Sequence, residues 1–292
     1  MKVNYRFCLC VAAILLLAGR KNHAAEAFPA ETAVAASGVS VPMLDFGGRP
    51  GVALRINGKG PFPFIVDTGA SRTVVESSLA EELSLTSAGA GNTITQLEIG
   101  DVSVRDVAVV VGPLLSIPGT SAAPRGVLSP TSFADYLMTF DFPRKQISLR
   151  SGALEQPNDK TIFSYESNGG LPTVPVRVSG HEYRVHLDTG APFALALPTK
   201  YKDEVLLEGP LVEGNKARTP SGEFQIYKGT MKSEAEIGAY KIPSRAILFT
   251  DAVPSPGATP RGQVGCFALA DLAVTLDSRN RRIEFKGSPA GI

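Results

Sequence analysis

Histidine and cysteine are scarce in this chain, with 3 of each in 292 residues. Beyond residue 27 only His181, His186 and Cys266 remain. No H-E-x-x-H and no Cys/His cluster occurs, which disfavours a zinc hydrolase, and no metal or other cofactor is expected. Without a G-x-S-x-G elbow, and with so few histidines, a Ser–His–Asp hydrolase is equally disfavoured. A single mature cysteine excludes an intramolecular disulfide, and Cys266 reads as a small core residue. No G-x-x-x-x-G-K-[ST] phosphate loop is present. Charge of one sign is also missing: 29 basic residues face 28 acidic ones, with no long like-charge run. Nothing here argues for nucleic acid or an anionic membrane as partner.

Long hydrophobic runs are absent except at the start. Lys2 and Arg6 precede the apolar stretch Phe7–Gly19, which is too short for a comfortable membrane span. Small residues and the triplet Ala25–Ala27 follow. Residues 1–27 are read as a secretory signal peptide, placing the protein in the periplasm or outside the cell. Arg20 and Lys21 leave an uncleaved anchor open as the alternative.

Helical periodicity is nearly absent as well. What the chain does have is short apolar segments between Gly, Pro, Asn and Asp turns. "VALRING", "FPFIVD", "NTITQLEIG", "VSVRDVAVVVG" and "KQISLR" read as strands of about five residues. Two helix candidates, "ESSLAEELS" and "SPTSFADYL", open with serine-rich capping chemistry. The class is all-β with a few short helices. Hydrophobic residues make up 43% of the chain, enough for two cores at this length.

An internal repeat organises the body. "FIVDTGA" recurs as "VHLDTGA", setting Asp67 against Asp188, 121 residues on. Upstream, "LRING" answers "VRVSG". "GVLSPTSFADYLMTFDFPRKQISL" from Gly126 aligns without a gap on "GQVGCFALADLAVTLDSRNRRIEF" from Gly262. Gly126/Gly262, Asp135/Asp271, Thr139/Thr275, Asp141/Asp277 and Ile147/Ile283 coincide. The expected organisation is a flexible lead-in at 28–40, a first lobe at 41–150, a polar connection at 151–170, a second lobe at 171–287 and a tail at 288–292.

One D-T-G reads equally well as a strand-ending turn, with Asp accepting from nearby amides. Two copies at the same place in a repeat point to chemistry. Each apolar strand delivers an aspartate to a loop, where Gly69 or Gly190 allows a close turn. Backbone amides and a threonine hydroxyl can hold the carboxylate. If the lobes pack about an approximate twofold, Asp67 and Asp188 meet, and two touching carboxylates do not both ionise easily. The ionised member can take a proton from a shared water while the protonated one donates to a peptide carbonyl.

These paired motifs resemble the aspartic peptidases of the pepsin/retropepsin superfamily, above all bacterial secreted proteins with two retropepsin-like repeats. The resemblance spans Val41 to Phe285. It implies a bilobal acid-protease fold of two pseudo-twofold β-barrel-like lobes. It also implies a cleft for a peptide or unfolded protein, and peptide-bond hydrolysis through a water between Asp67 and Asp188. Thr68 and Thr189 would bond across to the opposite loops, with Gly69, Ser71 and Gly190 supporting them. Two lobes in one chain make a monomer the expectation.

The chain departs from that pattern in places. Pro192 stands where Ser71 stands in the first loop, removing an amide donor near Asp188. Ser129 occupies a position that is glycine in the second lobe, Gly265. "ARTPSGEFQIYKG" offers a hairpin over the cleft, with its tip at Pro220, Ser221 and Gly222, and with Phe224 and Tyr227 toward substrate. The first lobe has only the short "SAGAGNTITQ". Arg72 either lowers the pKa of Asp67 or reaches solvent. His186, two residues before Asp188, can project to the same side of the strand. Asp141 and Asp277 read as hairpin-turn residues. These departures keep open a second reading, a peptide-binding protein that retains the fold without turnover.

Overall fold

The computed structural model describes residues 32–33, 38–85, 92–114, 123–165, 171–219, 221–253 and 258–287. The signal segment, the tail, Pro220 and the glycines of the short first-lobe segment lie outside them.

Each lobe is built on the same pairing scheme. In the first, the hairpin Arg49–Ile56/Lys59–Val66 turns at Asn57–Gly58. In the second, Thr173–Val178/His181–Asp188 turns at Ser179–Gly180. All four turn residues have positive φ, the left-handed conformation that a two-residue hairpin of this twist demands. The strand carrying each aspartate then runs parallel to a short glycine-led strand. Lys59–Val66 pairs with Gly126–Leu128, and His181–Asp188 with Gly262–Gly265. The chain leaving each D-T-G loop returns as a third strand antiparallel to the glycine-led one, Thr73–Glu76 or Leu195–Leu197. Val102–Gly112 and Asn92–Ile99 complete a closed six-stranded barrel in the first lobe. The second-lobe sheet extends through Ala246–Phe249 and Tyr227–Thr230 on one side and Ala235–Ile237 on the other.

The four long first-lobe strands run to 8 or 11 residues, beyond the expected five. "ESSLAEELS" forms the helix Ser77–Glu82, capped by the Glu76 carboxylate at the amides of Ser78 and Leu79 rather than by a serine. "SPTSFADYL" forms the 3-10 turn Pro130–Phe133, capped by Ser129, and Cys266–Leu269 is its counterpart.

A six-stranded sheet underlies both lobes. Its order is Ile162–Ser164, Arg282–Gly287, Leu272–Asp277, Leu137–Asp141, Gln146–Arg150 and Val39–Pro42. The two central strands are the repeat-related ones, antiparallel, with Thr139 directly opposite Thr275. The twofold axis passes between them, where their hydroxyls share a 2.9 Å hydrogen bond. Ile162–Ser164 falls in the stretch read as a bare connection, which therefore also contributes an edge strand. Asp141 and Asp277 each close the hairpin turn that follows them, accepting from the amides of Arg144 and Asn280 at 3.0 Å. Apolar side chains of both lobes and of this sheet form one continuous core, from Val52 to Phe285.

The Thr139–Thr275 pair satisfies two hydroxyls at the centre of this sheet. Thr139→Val or Thr275→Val alone leaves one of them without its partner and should cost about 1–2 kcal/mol. The double variant should cost clearly less than the sum. Urea unfolding of the four proteins measures the coupling, and strict additivity would show that the pair does not act as a unit.

Candidate active site

The two D-T-G loops meet on the same axis through a reciprocal set of hydrogen bonds. The Thr68 hydroxyl donates to the Leu187 carbonyl (2.6 Å), and the Thr189 hydroxyl donates to the Val66 carbonyl (2.7 Å). Each hydroxyl also accepts the amide of the other threonine at 3.0 Å. Both side chains are buried, so every one of these polar groups needs its partner.

This junction brings the carboxylates together. Asp67 Oδ1 accepts from the amides of Gly69 (2.7 Å) and Gly190 (3.3 Å), one from each loop. A Cβ at Gly69 would stand 2.8 Å from Asp188 Cγ, and one at Gly190 2.5 Å from Asp67 Cγ. Both glycines are therefore required by the close approach of the opposite carboxylate. Asp67 is buried and Asp188 is partly exposed. The two carboxyl groups lie close enough to perturb each other's ionisation.

Burial raises both carboxyl pKa values. Asp67 is held back by its two amide donors, by its bond to Asp188 and by Arg49. Asp188 is raised well above the ordinary value, first by burial and then by the charge of Asp67. Groups coupled in this way titrate as a pair rather than one by one.

Two residues beside the pair escaped the sequence reading. Arg49 is buried behind the Gly47–Gly48 turn of the first lobe, and its Nε donates to the Gly190 carbonyl of the opposite loop at 2.7 Å. It is the cation whose charge acts on both aspartates. Arg72, the candidate raised by proximity in sequence, lies exposed. No local signal marks Arg49, because its target is 141 residues away. Gln263 donates from Nε2 to Asp188 Oδ2 at 3.1 Å. The repeat alignment sets it against Val127, and that swap of an amide for an apolar side chain was a readable signal.

The departures noted in the sequence have local explanations. The amides that hold Asp67 belong to Gly69 and Gly190, so neither Ser71 nor Pro192 occupies a donor position. Ser71 lies half-buried beside its loop. In the second lobe the Ala191–Ala194 backbone folds onto Gly265, whose Cβ would stand 2.3 Å from the Phe193 carbonyl. In the first lobe the Thr73 hydroxyl takes the Ser129 amide instead (3.1 Å), which leaves room for a side chain.

Cys266 is buried with its thiol donating to the Ala191 carbonyl at 3.1 Å, and burial pushes its pKa up to about 12. It is an inert core thiol. The hairpin Ala217–Thr219/Gly222–Phe224 is formed, and the Ser221 amide donates to the Thr219 hydroxyl at 3.1 Å. Phe224 and Tyr227 line a cavity of about 550 Å³ with Leu211, Glu213, Thr199 and Asp251. The aspartate pair is not part of that lining.

Residues 52–130 match the family described as aspartyl protease. No curated protein matches the chain. Among solved structures, the aspartic proteinase from Irpex lacteus superposes with a TM-score of 0.53 at 13% identity, over 87% of this chain and 98% of that one. At that identity the likeness is one of fold.

Because both carboxyl pKa values are raised on folding, the folded chain holds a proton that the unfolded chain has lost. Stability from this source is retained below about pH 4, the ordinary aspartate value, and falls as pH rises through the raised pKa. Asp188→Asn removes the repulsion and can still donate to Asp67. Its melting temperature should exceed the parent's by a few degrees at pH 8, and the gap should close toward pH 4. A gap of the same size at both pH values would contradict the coupled titration.

Proposed function

We propose that this chain, an aspartic peptidase of the pepsin/retropepsin superfamily by its fold and its first-lobe match, hydrolyses internal peptide bonds at the Asp67–Asp188 pair. The observation that carries the reading is the placement of two carboxyl groups close together on the pseudo-twofold axis, one buried and one partly exposed, with Asp67 held by amides of both loops.

The chemistry follows from the unequal surroundings of the two groups. Asp67, with two amide donors, is the better carboxylate and acts as base toward a water placed between the pair. As Asp67 takes that water's proton, the oxygen adds to the peptide carbonyl carbon. Asp188 gives its proton to the carbonyl oxygen, so no full charge develops on the tetrahedral intermediate. Collapse reverses the roles. Asp67 passes its proton to the departing nitrogen, the C–N bond breaks, and Asp188 recovers a proton as the carboxyl product forms. The chain ends with one proton on the pair, as it began. Arg49 lowers both pKa values from a buried position and so works against the loss of the ionised member.

Export by the segment 1–27 and action as a monomer on peptides or unfolded proteins belong to the same proposal and rest on the sequence. No described helix is long and apolar enough to cross a membrane. The alternative, peptide binding without turnover, rests on Pro192, Ser129 and the short first-lobe segment. Neither Pro192 nor Ser129 occupies a position that holds Asp67, and the glycines of the short first-lobe segment lie outside the described residues.

Asp67→Asn and Asp188→Asn should each lower kcat for an unfolded protein substrate by at least about 10³-fold, with KM far less affected. The parent's kcat/KM should be bell-shaped in pH, falling in acid as Asp67 gains a proton and in base as Asp188 loses its own. Undiminished hydrolysis by both variants would refute the assignment.

A further inference from the structure

The two halves of the site share a backbone plan but not a chemistry. Side chains two apart on a strand face the same side, so Ile65 lies on the face of Asp67 and His186 on the face of Asp188. Ile65 pairs with Val127 across the parallel strands, and Val127 with Val74 across the antiparallel ones. Together with Phe46 and Ala70 they form an apolar cluster of their own, separate from the main core. The symmetry-related positions in the second lobe are His186, Gln263 and Ala196. Apolar residues beside Asp67 are thus replaced by an imidazole and an amide beside Asp188.

Of these polar residues, His186 lines a cavity of about 420 Å³ with Arg261, Thr173, Tyr201, Pro260 and Leu197, among others, two residues along the strand from Asp188, which is itself not part of the lining. His186 is 7% exposed, and Arg261 Nη1 lies 3.4 Å from its Nε2. Burial and this guanidinium push the imidazole pKa down to about 4, so His186 is neutral near pH 6 and Arg261 supplies the charge at that end. Arg261 makes no ion pair among the described residues. Other charged groups also face the cavity. Glu204 accepts the Tyr183 hydroxyl at 2.9 Å, and Glu182 lies four residues back along the strand, about 13 Å from His186. Arg184 lies between Glu182 and His186 on the same face. The end nearest the aspartates is therefore cationic, and the acidic groups sit at the far end.

We propose that the two sides of the scissile bond are read differently: the side of Asp188 takes a carboxylate, held by Arg261 and His186, and the apolar side of Asp67 does not. The carboxylate belongs to an acidic side chain or to the C-terminus of the peptide. This inference rests on the peptide-cleft reading above but concerns binding, which can be measured without turnover.

The test uses the Asp67→Asn chain and fluorescent peptides followed by polarisation at pH 6. The central pairs are Leu-Glu, Glu-Leu, Leu-Leu and Leu-Lys with amidated ends, together with a shorter Leu peptide ending in a free carboxylate. One of the two mixed acidic orders, or the free-acid peptide, should bind at least about fivefold more tightly than Leu-Leu. Which of them does so separates a side-chain carboxylate from a terminal one. Arg261→Gln should bring that ratio near one, and Arg261→Glu should shift preference to Leu-Lys. Equal or tighter binding of Leu-Leu, a preference that survives Arg261→Gln, or no binding of any peptide overturns the proposal. Incubating the same peptides with the parent chain reports on turnover separately. Cleavage without acidic preference refutes only the carboxylate site, and acidic preference without cleavage refutes only the peptidase reading.

Discussion

Everything at this site depends on the reciprocal threonine hydrogen bonds between the two loops. Bringing two carboxyl groups together in a buried place is unfavourable, since burial and mutual charge both oppose ionisation. The bonds of Thr68 and Thr189 hold the loops at that spacing. Each bond is worth about 1 kcal/mol net, but breaking one strands a buried hydroxyl or amide and costs more. The junction is therefore difficult to loosen in part. Far below it, Thr139 and Thr275 place a second threonine pair on the same axis. The axis is pinned at both ends.

On this symmetric frame the working differences are all single side chains. Arg49 has reached across from the first lobe to the Gly190 carbonyl, placing a positive charge that acts on both carboxyl groups. Gln263 touches Asp188, where the other lobe has Val127. Thr73 substitutes a hydroxyl for a backbone contact, which permits Ser129 where Gly265 is obligatory. Symmetry brings the carboxyl groups together, and asymmetry makes their surroundings unequal.

Much of this was legible in the chain itself. The repeat placed Asp67 opposite Asp188 and Thr139 opposite Thr275, because duplicated lobes must present equivalent positions to a common axis. "LRING" and "VRVSG" matched in the repeat, and their ends, Asn57–Gly58 and Ser179–Gly180, form equivalent hairpin turns. What escaped depends on contacts between distant segments. Arg49 meets its partner across 141 residues, and no local pattern encodes that. The strand Ile162–Ser164 sits in a polar stretch and owes its pairing to Arg282–Gly287. Glu76 displaced serine as a helix cap because its longer carboxylate reaches two amides at once. Pro192 looked disruptive only while the donors to the carboxylates were unknown.

The central claim is that Asp67 and Asp188 titrate as one coupled unit with a shared proton. Carboxyl ¹³C chemical shifts of the two aspartates, followed against pH in the labelled protein, test it most directly. The account predicts two well-separated steps that both aspartates report, with the final deprotonation well above the ordinary aspartate range. Two independent titrations near pH 4, each confined to one residue, would contradict it.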